Sequence, residues 1–164
     1  MFAKTSNLDD NIVRYTLAIL NGASVFGRIV PNLLADYFGP YNLLIVMCAG
    51  TGVMCFAVFG AGSAGGLIAV AILFGFFQGA YASLVSPAVM ATAKNGNEIG
   101  TRVGYTFMIT SFAALTGTPI TGALLKKYGF YAPIVWSGVT VCMGTFFLVI
   151  ARLYQSRKRN TWKV

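Results

Sequence analysis

The sequence predicts an all-α integral membrane protein, a polytopic bundle of about five transmembrane helices. Three observations carry this. From Tyr37 to Ala93 the chain runs 57 residues without an Asp, Glu, Lys or Arg, and two further charge-free stretches follow, Val103 to Leu125 (23 residues) and Tyr128 to Ala151 (24 residues). The composition, 57% hydrophobic against 10% charged, leaves too few charges to cover the faces of a water-soluble domain. The apolar runs are also continuous, whereas a lipid-facing barrel alternates apolar and polar residues in segments of about 10.

A helix needs about 20 apolar residues to cross a hydrocarbon core some 30 Å thick. The first span is drawn from Asn11 to Leu34, with Arg14 near its start and Arg28 inside it. A break at Asp36-Tyr37-Phe38-Gly39-Pro40 leads to the second, Tyr41 to Ala61. The uncharged turn Gly60 to Gly66 separates it from the third, Leu67 to Ala91. A polar loop, Lys94-Asn95-Gly96-Asn97-Glu98, precedes the fourth, Val103 to Leu125, and Lys126-Lys127-Tyr128-Gly129 precedes the fifth, Tyr131 to Leu153. The chain thus divides into a short segment 1–10, a membrane bundle 11–153 and a basic tail 154–164. Residues Met1 to Arg14 hold Lys4, Asp9, Asp10 and Arg14 without an apolar centre, so no signal peptide is expected there.

The net charge of +8 does not point to nucleic acid. Arg157, Lys158, Arg159 and Lys163 follow the last span, where basic residues anchor a helix on the cytoplasmic side. Counting only Lys and Arg, a cytoplasmic C-terminus puts seven inside (Lys94, Arg102, Arg152 and the four just named) and four outside (Lys4, Arg14, Lys126, Lys127). The expected topology is N-terminus out, C-terminus in. Cys48, Cys55 and Cys142 lie within spans and lack metal-ligand spacing. With no His, and with Asp9, Asp10, Asp36 and Glu98 all outside the spans, no catalytic pair or metal site is expected, and no cofactor.

Several spans carry devices for close contact. Ala23/Gly27 and Gly75/Gly79 place small residues four apart on one helix face, which lets backbones approach. Pro31, Pro87 and Pro119 each remove a helix hydrogen bond. Both features fit ordinary packing, and both fit helices that line a cavity and move during transport.

Arg28 is the most informative residue. It stands eight residues before Asp36, about 12 Å along a helix. At that depth a charge costs roughly 2.5 kcal/mol or more. Either it snorkels to the inner headgroups, or it faces an aqueous cavity and holds an anion with its planar fork. Asn21 and Ser24 on the same span, and Gln78 on the third, are further candidate polar liners. Gln78 serves an interhelical hydrogen bond or a substrate contact equally well.

The segment Asn21 to Asn42 resembles the major facilitator superfamily, and within it the monocarboxylate-porter-like branch abundant in fungi. The resemblance aligns the first span with helix eight of a twelve-helix transporter. Asp36 and Gly39 fall on the short turn motif Gly-x-Leu-Ala-Asp-Arg-x-Gly-Arg. Three positions depart from it: Asn32 replaces the first Gly, and Tyr37 and Pro40 replace basic residues that latch the inner gate. Arg28 matches the arginine with which monocarboxylate porters bind their substrate anion. The acid that proton-coupled members carry four residues earlier is Ser24 here, so proton coupling through this pair is not implied. Phe74 to Pro87 is similar to helix ten, and Ile99 to Leu125 to helix eleven.

The resemblance implies part of the carboxyl-terminal half of a secondary transporter, helices eight to twelve, for a small carboxylate-type solute. Its expected partners are the lipid bilayer, that solute and a missing amino-terminal half, without which the chain is expected to be inactive. A second class remains open: a membrane scaffold or assembly subunit that uses the same small-residue faces to bind another protein.

Overall fold

The computed structural model describes residues 10–60, 64–93 and 96–159. Residues 1–9 of the expected leading segment, 61–63 of the glycine-rich turn, Lys94, Asn95 and Lys163 lie outside them. Five helices are present: α1 (Asp10–Phe38), α2 (Pro40–Ala57) ending in a 3-10 turn at Val58–Gly60, α3 (Ala64–Thr92), α4 (Gly96–Tyr128) and α5 (Tyr131–Arg159). All five are long and apolar enough to cross a membrane. No strand occurs among the described residues.

The helices outrun the apolar stretches that predicted them. α4 begins at Gly96, so most of the expected polar loop is its first turn. Glu98 favours that start, because a carboxylate near a helix N-terminus meets the positive end of the dipole. It also accepts from Arg102 at 3.0 Å. Both side chains are 42% exposed, so this pair adds only a few tenths of a kcal/mol. α5 likewise absorbs the start of the basic tail, running on to Arg159.

Two turns use the same device. Gly39 (φ 86°) sits between α1 and α2, and Gly129 (φ 74°) ends α4. Both adopt a left-handed backbone that other residues reach only at a cost. Gly39 donates to the Ala35 carbonyl at 2.9 Å and Gly129 to the Leu125 carbonyl at 3.2 Å, each closing a helix end. Pro40 then opens α2, where its missing N–H removes nothing.

α3 is the hub. It packs along α1 and α2, and α5 packs on α2. α4 touches its neighbours thinly and has no buried residue. Between helices in lipid the hydrophobic effect is nearly silent, so contact rests on van der Waals fit. The fit at α1–α3 is backbone against backbone. A Cβ at Gly27 would fall on the Phe76 carbonyl, one at Gly75 on the Leu20 carbonyl, and one at Gly79 on the Ser24 carbonyl. Leu20 against Gly75 and Ser24 against Gly79 advance together along both helices, so α1 and α3 run parallel.

The small-residue faces that the scaffold class assigns to another protein have a partner inside the chain at Gly27, Gly75 and Gly79. Gly27, Gly75 and Gly79 meet across one seam inside the chain, because two small-residue stripes of matching length let these helices close on each other. Two further glycines make room for rings: a Cβ at Gly50 would lie 2.6 Å from Phe77, and one at Gly138 would lie 2.6 Å from Phe56. Near the Gly39 turn, Ala35, Tyr41, Leu44, Leu84 and Ala88 form the best-buried cluster. The helices run without interruption through Pro31, Pro87 and Pro119.

Candidate substrate site

Asn21, Ser24 and Arg28 lie on α1 and Gln78 on α3. At 100° per residue, Asn21 and Arg28 are about 20° apart and Ser24 about 40° from Arg28, so the three share one side of α1. They do not share an environment. Ser24 is 6% exposed and sits in the α1–α3 seam, its hydroxyl donating to the Asn21 carbonyl at 2.8 Å. Asn21 is exposed and donates to the Leu17 carbonyl at 3.1 Å. Ser24 therefore has a packing role that the sequence did not reveal, and its hydroxyl is already satisfied within its own helix.

Arg28 is exposed and ten residues from the end of α1 at Phe38. Its carbonyl accepts from Asn32 at 2.8 Å. Its guanidinium has no hydrogen bond and no ion pair among the described residues, where Arg102–Glu98 is the salt bridge found. Its fork of N–H donors thus stands deep in a span, beside a tightly closed seam. Gln78 precedes Gly79 and borders the same seam. It too is exposed, and it makes no side-chain hydrogen bond, interhelical or other, among the described residues.

Asp36 and Gly39 keep the turn motif's positions, Asp36 exposed at the end of α1 and Gly39 buried in the turn. The basic residues of that motif are absent, but a different cation ties this end together. Arg152 of α5 donates through Nε to the Asn42 side-chain oxygen on α2. Farther into the same interface Cys48 Sγ lies 3.1 Å from the oxygen of the Thr145 hydroxyl, whose proton goes to the Val141 carbonyl at 2.8 Å. Sequence reasoning missed both contacts. We expect Arg152→Ala to lower stability by about 1–2 kcal/mol, since hydrogen bonds from charged donors are worth more than neutral ones. Asn42→Ala should cost about the same, and the double variant should lose little more than either single one. Unfolding in detergent micelles reads this directly, and additive losses would contradict the bond.

The hydroxyls of α4 are a second feature the sequence reading passed over. Thr106, Thr110, Ser111, Thr118 and Thr121 each donate to the carbonyl four residues earlier, at 2.7–3.1 Å. A helix can carry these hydroxyls in a membrane because each of the five donors is satisfied internally. At the opposite end from the Gly39 turn, four helices flank an open groove of about 370 Å³ lined by Leu20, Val58, Phe74 and Ile134. No motif announced it.

With the geometry described, comparison with known proteins decides the family. The Major Facilitator Superfamily model matches residues 2–163. The chain belongs to the major facilitator superfamily. It is 40% identical over 154 residues to the MFS transporter asaE of Aspergillus flavus, covering 92% of this chain and 35% of that protein. It is 34% identical over 145 residues to the agnestins efflux protein of Paecilomyces divaricatus, covering 88% of this chain and 33% of that protein. With the aspyridones efflux protein of Emericella nidulans the identity is 32% over 145 residues, 88% of this chain and 30% of that protein. The chain thus spans about a third of the length of these relatives. No solved structure matches it. Five apolar helices and this membership make it a multi-pass protein of a transport family.

Proposed function

We propose that the chain forms helices eight to twelve of a major-facilitator transporter that moves a small organic anion, a carboxylate-type solute, with Arg28 holding the carboxylate. The observation that carries this is the guanidinium of Arg28, deep in a span and without a hydrogen-bond or ion-pair partner among the described residues. Its planar fork matches a carboxylate with two hydrogen bonds, which a lysine ammonium cannot reproduce. Asn21 and Gln78, exposed beside the same seam, are placed to accept or donate to the rest of the solute. The relatives named for efflux of agnestins and aspyridones favour a small organic solute and export as the direction.

Alternating access needs walls on both sides of a midplane site. Five helices provide one side, and the thinly packed α4 leaves its faces for a further contact. We therefore expect no saturable uptake from proteoliposomes holding this chain alone. Uptake of carboxylates should appear when it is reconstituted with the remaining helices of the Aspergillus flavus relative. Saturable uptake by the chain alone would contradict the reading. If the complemented protein carries no solute yet forms a stable complex, the scaffold class replaces it.

The excess of Lys and Arg near Arg102 and beyond Arg152 supports a cytoplasmic C-terminus. Cysteines introduced as Ser63→Cys and Arg157→Cys, in a background lacking Cys48, Cys55 and Cys142, should label from opposite faces of intact cells. Labelling of both from one face would refute the five-span topology.

A further inference from the structure

We propose that the end of α5 beyond Ala151 is a binding surface for anionic phospholipid headgroups that each carry one net negative charge, as phosphatidylserine does. It is independent of the anion reading of Arg28, and takes from the proposed topology only the leaflet in which these lipids lie.

The first support is depth. The charge-free run of α5 stops at Ala151, and Arg152 is the first charge after it. The helix does not stop there but continues to Arg159. Along its axis Arg157 stands about 7.5 Å beyond Arg152, and Arg159 about 10.5 Å. One headgroup layer is roughly 5–8 Å deep. A helix leaving the hydrocarbon thus carries three consecutive cations, Arg157, Lys158 and Arg159, to the level of the lipid phosphates. Its base is fixed, because Arg152 donates through Nε to the Asn42 side-chain oxygen on α2. A rigid helix rooted in this way holds its charges at that level, where a loose tail would spread them through the water.

The second is charge balance. No Asp or Glu follows Glu98 in the sequence. Of the acids at this end of the bundle, Glu98 is held by Arg102 at 3.0 Å. Asp36 belongs to α1, whereas α5 packs on α2 and α4. The Arg157 side chain is exposed and makes no ion pair among the described residues. Anionic lipid supplies the missing counter-charge, and near such a surface each Lys or Arg is worth roughly fivefold in binding.

The third is how the cations are spread. Successive positions on a helix lie 100° apart around its axis, so 157, 158 and 159 cover about 200° of the circumference. They do not converge on one point. One polyphosphorylated headgroup needs several cations gathered about it, whereas singly charged headgroups packed around a helix need them distributed. Tyr154, 71% exposed and one turn before Lys158, sets an aromatic ring at the boundary, where such amphipathic rings favour the headgroup level.

The test uses the full chain in phosphatidylcholine bilayers, with Trp136→Phe, Trp162→Phe and Tyr154→Trp leaving one indole beside the cations. Lipids with a nitroxide high on the acyl chain quench that indole on contact, and competition with unlabelled lipid gives a relative binding constant at this place alone. We expect labelled phosphatidylserine to bind about fivefold more tightly than labelled phosphatidylcholine, or more. Raising NaCl from about 0.05 to 1 M should bring the ratio toward one, as the Debye length shrinks to about 3 Å. Combining Arg157→Gln, Lys158→Gln and Arg159→Gln should bring it to one at low salt. Combining Glu98→Gln and Arg102→Gln removes a pair without changing the net charge, and should leave it as it was. A ratio of one with the three cations intact overturns the proposal, as does a preference that neither salt nor the triple variant reduces. Complete loss of phosphatidylserine quenching with one phosphatidylinositol bisphosphate per chain would overturn it in favour of a single polyphosphate site.

Discussion

Gly79→Leu is expected to separate α1 from α3 and to cost about 3 kcal/mol or more, the upper end of the overpacking range. The reason is what stands in the way. A Cβ at Gly79 would meet the Ser24 carbonyl, its Cα and its carbon, which are backbone atoms that cannot rotate aside. The helices can only move apart, and moving apart also opens Leu20–Gly75 and Gly27–Phe76. In lipid nothing replaces those contacts except acyl chains, so the loss is not recovered by desolvation elsewhere. Gly104→Leu on α4 is the control, since nothing lies within 4 Å of a Cβ there. That variant should be neutral or slightly stabilising, because leucine is the better helix former by up to about 1 kcal/mol. Denaturant unfolding in micelles compares the two, and equal midpoints would contradict the seam.

The existence of five helices was legible because charge is excluded from hydrocarbon, and the uncharged runs mark where hydrocarbon lies. Their ends were not, for the same reason. Glu98, Lys127 and Arg157 belong to helices but sit at the water-facing ends, so a reading based on charge finds the membrane core rather than the helix. The small residues at positions 27, 75 and 79 were legible as contact surfaces. Their partner was not, because four-residue spacing is a property of one helix, whereas pairing depends on which two stripes meet. Arg152 and Asn42 are 110 residues apart, and nothing local links them. The groove at Leu20 and Ser137 has no signature at all, since it arises from how four helices come to lie side by side. Arg28 and the turn residues Asp36 and Gly39 were singled out from chemistry and motif alone. Ser24 was read as a polar liner, and only its burial against Gly79 reveals its part in the seam.

Arg28→Ala is expected to abolish uptake of the cognate anion by a completed twelve-helix transporter. Removing one partner of a desolvated, hydrogen-bonded charge pair costs about 2–5 kcal/mol, or between roughly thirtyfold and several thousandfold in affinity. Arg28→Lys keeps the charge and loses the fork, so it should retain weak uptake between the two extremes. Folding should not be the cause of the loss. The Arg28 side chain is exposed and makes no hydrogen bond or ion pair among the described residues, and alanine there removes a charge from a span. The deciding measurement is the concentration dependence of carboxylate uptake by wild type, Arg28→Lys and Arg28→Ala at matched surface expression. The account predicts a graded fall in that order, with no saturable uptake left in the alanine variant. Full transport by Arg28→Ala would mean that the guanidinium only reaches for headgroups and that the anion site lies elsewhere.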